Sequence, residues 1–296
     1  MQVPSLSFLG FLLVTLVLCL SVGRGSRQAG RKVLALAGVV FTVLGGGWRG
    51  FAVLAAGTAA TAAVLWCLER LDALPRRLAM AMGCLWHIAV LAVCKLTGWM
   101  PLGISFFTFQ QLWLLKETYT GQYRRSQGDS LLLYTFFFPT VTSGPILRPE
   151  EFFPQLREAF LCPSWGDAAA GLYAISFGMA KKVLLADPLG AVVSNGWALG
   201  QELTAPAAWI VILGYTLRLY LDFSGYCDIA SGCARLLGIR LPVNFDSPYR
   251  ALSVGEFWKR WHITLTSFLR ECVYIPLGGS RRGSVRTYGN ILIVYL

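Results

Sequence analysis

Charged residues are scarce in this sequence. Asp, Glu, Lys and Arg make up 14% of its 296 residues and hydrophobic residues make up 55%, whereas a soluble globular domain carries about 25% charged residues. This shortage argues against an ordinary soluble domain and indicates a protein that lies in lipid. Acidic residues are scarcer than basic ones, which gives a formal net charge of +11. The basic residues stand in short connectors between apolar runs, so we expect contact with membrane lipid and no nucleic-acid partner.

Motifs for several common chemistries are also missing. The sequence has no Walker A motif, no G-x-S-x-G elbow and no metal-ligand spacing. We therefore expect no bound metal or cofactor. Its eight cysteines include no C-x-x-C pair, and most stand in apolar stretches, so we expect them to behave as small buried hydrophobic residues.

Long apolar runs fill the first hundred residues. These runs span residues 6–22, 33–45, 51–67 and 78–96. Further runs span residues 101–115, 168–186 and 205–223. Most approach the roughly 20 residues that cross a hydrocarbon core. The pattern predicts an all-α fold, a polytopic bundle of transmembrane helices.

Basic and nearly neutral connectors alternate along the first part of the chain. The basic ones carry Arg24, Arg27, Arg31, Lys32, Arg70, Arg76, Arg77, Lys116, Arg124 and Arg125. By the positive-inside rule these connectors face the cytoplasm, so we expect a multi-pass protein with its N-terminus outside. A cleaved signal peptide is the alternative for residues 6–22, but residues 1–5 lack the positive charge of a signal.

Helix breakers interrupt the middle of the chain. Pro139, Gly144, Pro145 and Pro149 follow an apolar, aromatic stretch. Such breakers remove backbone hydrogen bonds that lipid cannot replace. We therefore expect residues 140–153 to be sheltered by protein as a re-entrant or interfacial segment, with a short helix near residues 150–160.

Histidine occurs only twice. His87 stands in an apolar helix, where a hydrogen bond between helices is the expected role. His262 stands in residues 254–274, a segment too polar to face lipid. In a continuous helix, Trp258, His262 and Thr266 would share one stripe that could line a pocket. A histidine there can accept a proton from a hydroxyl nucleophile, as acyl transfer requires; the alternative is an aromatic belt at the membrane surface.

Carboxylates near membrane depth form a second candidate cluster. Asp222 lies near the end of the run 205–223, and Tyr226 and Asp228 follow it. Carboxylates at such a depth are costly unless paired. They could act directly in catalysis, or Asp222 could form a structural clamp with a nearby arginine such as Arg218. Residues 224–237 are rich in small side chains and should pack deeply against another helix. Lys181 and Lys182 should mark the membrane–water boundary of the run 168–186.

Several short sequence motifs occur together in a specific order. They lie at residues 101–110, 138–139, 143–146, 221–230, 244–245, 248–249, 256–258, 260–262 and 274–279. From about residue 100 onward the chain resembles the membrane-bound O-acyltransferase family, and within it the bacterial alginate O-acetyltransferase branch. The resemblance implies N-terminal transmembrane helices in residues 1–100 and an acyltransferase core in residues 101–296, with buried half-helices around a central cavity.

The resemblance also assigns roles to residues. His262 matches the first of two family histidines and is implied to be catalytic. The positions implied to bind substrate are Asp222, Tyr226, Asp228, Asn244, Trp258 and Arg260. The second family histidine, the usual principal base, belongs to a Trp-His-Gly-like word in the next membrane helix. The sequence ends at Leu296 before such a word, so we expect a copy that is incomplete at its C-terminus.

The activity implied is acetyl transfer to hydroxyls of an exported polysaccharide at a bacterial inner membrane. Acetyl-CoA or another cytoplasmic acyl donor would be a co-substrate, and a periplasmic or extracellular partner protein would complete the modification. D-alanyl transfer to teichoic acid and peptidoglycan O-acetylation are alternatives within the family. Residues 136–146 resemble the D-alanyl branch, and residues 274–279 favour the acetyl branch. A transporter or structural subunit is the alternative from another class, although no inverted repeat is apparent.

Overall fold

The computed structural model describes residues 5–126, 130–158, 160–281 and 283–295. Within these ranges the chain forms helices and connectors and no strand, which confirms the all-α prediction. The chain divides into two compact units. Unit 1 comprises Met1–Ala37 and Ala159–Leu241, and unit 2 comprises Gly38–Glu158 and Pro242–Leu296. Each unit draws on both sides of residue 100, and the boundary between residues 1–100 and 101–296 remains a prediction.

Three long apolar helices cover the first hundred residues: α1 (Leu6–Gly25), α2 (Arg27–Arg70) and α3 (Ala73–Thr97). Ser5 caps α1, since its hydroxyl accepts a hydrogen bond from the N–H of Phe8 at 3.1 Å. Helix α2 is interrupted at Gly47, whose φ of 73° and ψ of 170° belong to a region open essentially to glycine alone. This interruption falls in the predicted neutral turn, so all four predicted runs are helical and two of them are joined in α2.

The aromatic core of unit 2 lies around the helix breakers. Helices α4 (Ile104–Thr120), α5 (Leu131–Thr135) and α6 (Pro149–Glu158) surround it. Phe136, Phe137 and Phe138 are each only 1% exposed. Backbone groups find partners within the protein, as when the N–H of Gly144 donates to the carbonyl of Thr140. The prediction of a sheltered segment followed by a short helix is confirmed.

Unit 1 is built on two long helical stretches. The first consists of α7 (Trp165–Met179), a π-helical turn (Ala180–Ala186) and α8 (Asp187–Leu199), and the second is α9 (Ala205–Leu236). Glycines allow α7 and α9 to touch: a Cβ atom added to Gly225 would lie 2.8 Å from the carbonyl oxygen of Gly178. Any larger side chain would separate the helices. The predicted close packing of residues 224–237 is therefore confirmed.

Four helical stretches of the described residues are long and apolar enough to cross a membrane: α1, α2, α3 and Trp165–Leu199. The last continues past Lys181 and Lys182, which were predicted to mark the membrane–water boundary. The helix does not stop there, and both ammonium groups pair with carboxylates of α9, while the membrane–water boundary at these lysines remains a prediction. Lys181 Nζ lies 2.7 Å from Asp228 Oδ2, and Lys182 Nζ lies 2.8 Å from Asp222 Oδ1.

The C-terminal part of unit 2 consists of short helices. These are α10 (Val254–Arg260), α11 (Ile263–Leu269), a π-helical turn (Arg270–Tyr274) and α12 (Ser284–Tyr295). A continuous helix over residues 254–274 was predicted, and the break after Arg260 contradicts it. Helix α12 includes the apolar residues that follow Asn290; Leu296 lies outside the described residues.

Candidate active site

His262 occupies a left-handed backbone conformation that residues other than glycine rarely adopt. Its φ of 44° and ψ of 55° are left-handed, and Trp261 before it is extended. The left-handed region is costly for a residue with a Cβ atom. Hydrogen bonds from residues 244–246 hold it there: Ile263 N–H donates to the carbonyl of Asn244, and Asp246 N–H donates to that of Arg260, each at 2.9 Å. The predicted stripe of Trp258, His262 and Thr266 is therefore wrong, because the helix that would align them is broken.

The His262 side chain belongs to a buried hydrogen-bond cluster. His262 Nδ1 lies 3.1 Å from Asn244 Oδ1. The same oxygen accepts from Thr264 N–H at 3.1 Å and from Thr264 Oγ1 at 3.0 Å. Thr264 Oγ1 in turn accepts from the N–H of Ile146 at 3.1 Å. The cluster thus joins three distant parts of the chain within unit 2.

Aromatic rings flank the imidazole on α4 and in the segment after Asn244. The rings of Phe106 and Phe245 stack on it with centroids 5.9 and 6.4 Å away. His262 is 7% exposed and lies outside the four candidate spans. Burial lowers the pKa of its imidazole to about 4, because a charged ring loses hydration there. The ring is therefore neutral near pH 7 and can accept a proton or hydrogen bond.

Arg260 and Trp258 lie on α10 and have different surroundings. The guanidinium of Arg260 pairs with Glu256 at 2.9 Å and with Asp246 at 3.4 Å, so it ties α10 to the segment that supports His262. Trp258 instead packs edge-on against Tyr295 of α12 at 5.5 Å. Of the positions predicted in this unit, Asn244 contacts His262 directly, and Arg260 stabilises the segment that supports His262.

Asp222, Tyr226 and Asp228 lie on α9 in unit 1. The carboxylate of Asp222 pairs with Lys182, and that of Asp228 pairs with Lys181. Lys182 also lies 2.8 Å from Asp187. Arg218, the predicted partner of Asp222, lies beside Gly190 of α8, so that part of the prediction is wrong. A structural clamp is therefore seen, with lysines as its cations. Tyr226 is half-buried on the same helix.

His87 has the structural role expected for it. It is 2% exposed, and its Nε2 lies 2.9 Å from Thr61 Oγ1, which joins α2 to α3. No group of three or more His, Cys, Asp or Glu side chains suited to a metal occurs in the part of the chain that the structure describes.

Three residues around His262 were not predicted to belong to the site. Phe106 and Phe245 occur within the short family-like motifs, but nothing in their spacing shows that they stack on an imidazole. Thr264 follows His262 by two positions, a spacing that separates side chains on a regular helix. Only the left-handed turn at His262 brings both residues to Asn244.

Comparison with known proteins places this site in a family. The model of the membrane-bound O-acyltransferase family matches residues 80–296, a stretch that contains every predicted site residue. The chain belongs to this family. The family match begins at residue 80, whereas the short motifs predict the resemblance only from about residue 100.

Three relatives illustrate the range of this acyltransferase family. The peptidoglycan O-acetyltransferase of Helicobacter pylori is 37% identical over 67% of this chain and 42% of its own length. The probable alginate O-acetylase of Pseudomonas aeruginosa is 36% identical over 67% of this chain and 38% of its own length. The teichoic acid D-alanyltransferase of Bacillus subtilis is 30% identical over 59% of this chain and 45% of its own length. The chain thus matches about two fifths of the length of these curated relatives.

Proposed function

We propose that this protein is an O-acyltransferase that moves an acetyl group from a cytoplasmic donor, such as acetyl-CoA, to hydroxyls of an exported cell-surface polysaccharide. Family membership supports acyl transfer. The two O-acetyltransferase relatives match a larger share of this chain, at higher identity, than the D-alanyl relative does. This difference favours acetyl over D-alanyl as the transferred group.

The observation that carries the proposal is the neutral, buried His262 held by Asn244 within the family match. In the reaction the acceptor hydroxyl oxygen bonds to the acyl carbon, the thioester C–S bond breaks, and the hydroxyl proton ends on the departing thiolate. A neutral imidazole can orient that hydroxyl and ease removal of its proton. We assign this role to His262, since the resemblance gives the role of principal base to the second family histidine.

The carboxylates of α9 fit a supporting role better than proton transfer. Asp222 and Asp228 are each paired with a lysine, so both carboxylates already have a partner within unit 1. We retain Asp222, Tyr226 and Asp228, together with Trp258 and Arg260, as proposed contributors to substrate binding.

The acceptor polymer is the finer part of the proposal. An alginate-type polysaccharide and peptidoglycan both present sugar hydroxyls, and relatives named for each match this chain at nearly equal identity. We propose an alginate-type acceptor, reached with the help of a periplasmic or extracellular partner protein, and an inner-membrane location. Membership of an acyltransferase family disfavours the transporter alternative.

The chain offers a matched control for the test, since it contains one other buried histidine. We expect His262→Gln in the full-length protein to lower acetyl transfer from labelled acetyl-CoA in membrane vesicles by roughly 100-fold, a typical contribution of positioned proton transfer. His87→Gln should leave the rate near that of the wild type, because Gln can still bond to Thr61. Equal rates for wild type and His262→Gln would refute the role of His262.

A further inference from the structure

The hydrogen bonds to Asn244 determine which nitrogen of His262 carries the proton. A backbone N–H can only donate, and that of Thr264 lies 3.1 Å from a terminal atom of the Asn244 side chain. That atom must therefore be the carbonyl oxygen, Oδ1. His262 Nδ1 lies 3.1 Å from the same oxygen. An amide oxygen cannot donate, so Nδ1 must carry a proton, and the lone pair of the neutral ring lies on Nε2.

The hydroxyl of Thr264 reinforces this arrangement. Its oxygen accepts the N–H of Ile146 at 3.1 Å, and its single proton points to Asn244 Oδ1 at 3.0 Å. Asn244 Oδ1 thus receives three hydrogen bonds, which opposes a flip of the amide. Asn244 and Thr264 are 3% and 5% exposed, so water competes little for these bonds.

We propose that Asn244 and Thr264 are positioning residues that fix His262 as its Nδ1–H tautomer and so hold the lone pair of the ring on Nε2 for the acceptor hydroxyl. This inference rests on the proposed acyl transfer and deepens it. It assigns Asn244, for which the sequence resemblance implies substrate binding, an action through His262.

The segment that follows the proline-rich break takes part in the same arrangement. Ile146 reaches Thr264, and two positions later Arg148 forms an ion pair with Glu271 in the π-helical turn after α11. The guanidinium of Arg148 also lies over the ring of Trp113 at 4.7 Å. These contacts hold Ile146 N–H in place to bond with the Thr264 oxygen. Loss of the Thr264 hydroxyl therefore removes one donor to Asn244 Oδ1 and leaves the buried N–H of Ile146 without its acceptor.

The tautomer can be read without any enzymatic assay. In a His87→Gln background His262 is the only histidine among the 296 residues, so NMR of this chain labelled with ¹³C,¹⁵N-histidine reports on it alone. Correlation of ring nitrogens with ring carbons distinguishes Nδ1–H from Nε2–H. We expect the Nδ1–H form in wild type and in Thr264→Ser, which keeps the hydroxyl. Thr264→Val should show a clear admixture of the other tautomer, whereas Thr266→Val, a matched change on the same helix, should not.

A second variant keeps the test valid if Thr264→Val folds poorly. Asn244→Asp supplies an oxygen acceptor with a negative charge, so we expect it to retain the Nδ1–H form. A carboxylate there stabilises the protonated ring, so the acidic limb of the pH–rate profile should move to higher pH. A wild-type ring protonated at Nε2, or a Thr264→Val spectrum identical to that of wild type, would overturn the inference.

Activity provides the separate arm. We expect Thr264→Val to lower acetyl transfer by roughly ten-fold or more through kcat, with Thr264→Ser restoring most of it. Because the NMR measurement needs no substrate, the Nδ1–H form in a protein that transfers no acyl group would uphold the tautomer and count against the proposed function. Full acetyl transfer by a protein whose His262 shows the Nε2–H form would uphold the proposed function and refute the tautomer.

Discussion

At the scale of single residues, the conformation of His262 links the fold to the proposed chemistry. A left-handed residue with a Cβ atom costs about 1–3 kcal/mol unless its surroundings favour it. Here two backbone hydrogen bonds from residues 244–246 and the side-chain bond to Asn244 stabilise it. The strained turn brings the imidazole and Thr264 to one oxygen, which a regular helix would prevent. Strain and positioning therefore have the same structural cause.

The ion pair between Lys181 and Asp228 should contribute to the stability of unit 1. Their side chains are 15% and 34% exposed, so the pair is screened less than a surface pair. We expect Asp228→Asn and Lys181→Met each to lower the free energy of unfolding in detergent by about 2 kcal/mol, because each leaves a partner without its counter-charge. The double variant should lose less than the sum, with a coupling of about 1–2 kcal/mol.

A surface ion pair of the same unit provides the control. Arg240 is 69% exposed and pairs with Asp167 at 3.0 Å. Arg240→Gln should change the free energy of unfolding by less than about 1 kcal/mol. Additive losses at Lys181 and Asp228 would show that the two side chains act independently and would refute the clamp.

The sequence allowed some site residues to be predicted and not others. His262 is one of only two histidines, and its polar setting distinguishes it from His87, so the candidate could be named from composition and spacing. The contact between His262 and Asn244 joins residues 18 positions apart, and no local pattern reveals it. Lys182 was not predicted as the partner of Asp222 for the same reason, because the two residues lie far apart in sequence. Arg218 was proposed instead because it is nearer.

At the scale of helices, apolar runs were predicted well and interruptions less well. Hydrophobicity reflects the solvent around a helix, so the four runs before residue 100 could be read directly. The break between α10 and α11 could not, because it depends on hydrogen bonds from residues 244–246. The π-helical turn Ala180–Ala186 was not predicted either. Its Lys181 and Lys182 pair with carboxylates of α9, contacts between distant positions that charge patterning does not reveal.

Gly47 should be essential to the interruption of α2. A Cβ atom there would meet nothing within 4 Å, but the φ of 73° disfavours any residue other than glycine. We expect Gly47→Ala to lower the free energy of unfolding by about 1–3 kcal/mol. Gly50→Ala is the matched control: it lies in the same helix, its Cβ would contact Pro101 at an ordinary 3.7 Å, and a gain of up to about 1 kcal/mol is expected from helix propensity. Equal effects of the two changes would contradict this account, and melting in detergent measures both.

At the scale of the whole molecule, the distribution of charge predicts an orientation in the membrane. The junction of α1 and α2 is a basic connector between apolar runs, since Arg24 lies in the last turn of α1 and Arg27, Arg31 and Lys32 lie near the start of α2, and the positive-inside rule places it in the cytoplasm. Within unit 1 the segment before α7 meets that connector: the side chain of Leu161 packs against Gly23 and Gly30, and the guanidinium of Arg27 lies 3.2 Å from Cys162 Sγ. Cys162 must therefore lie on the same side of the membrane as the connector.

Cys162 makes this orientation measurable. Of the eight cysteines, all of them within the described ranges, it alone is exposed, so a bulky maleimide that cannot cross membranes should react with it first. We expect labelling in inside-out vesicles and little in intact spheroplasts, because the thiol faces the cytoplasm with Arg27. Cys162→Ser should abolish the signal, which shows that the other thiols do not contribute. Labelling confined to spheroplasts would place the basic connector outside and reverse the predicted orientation.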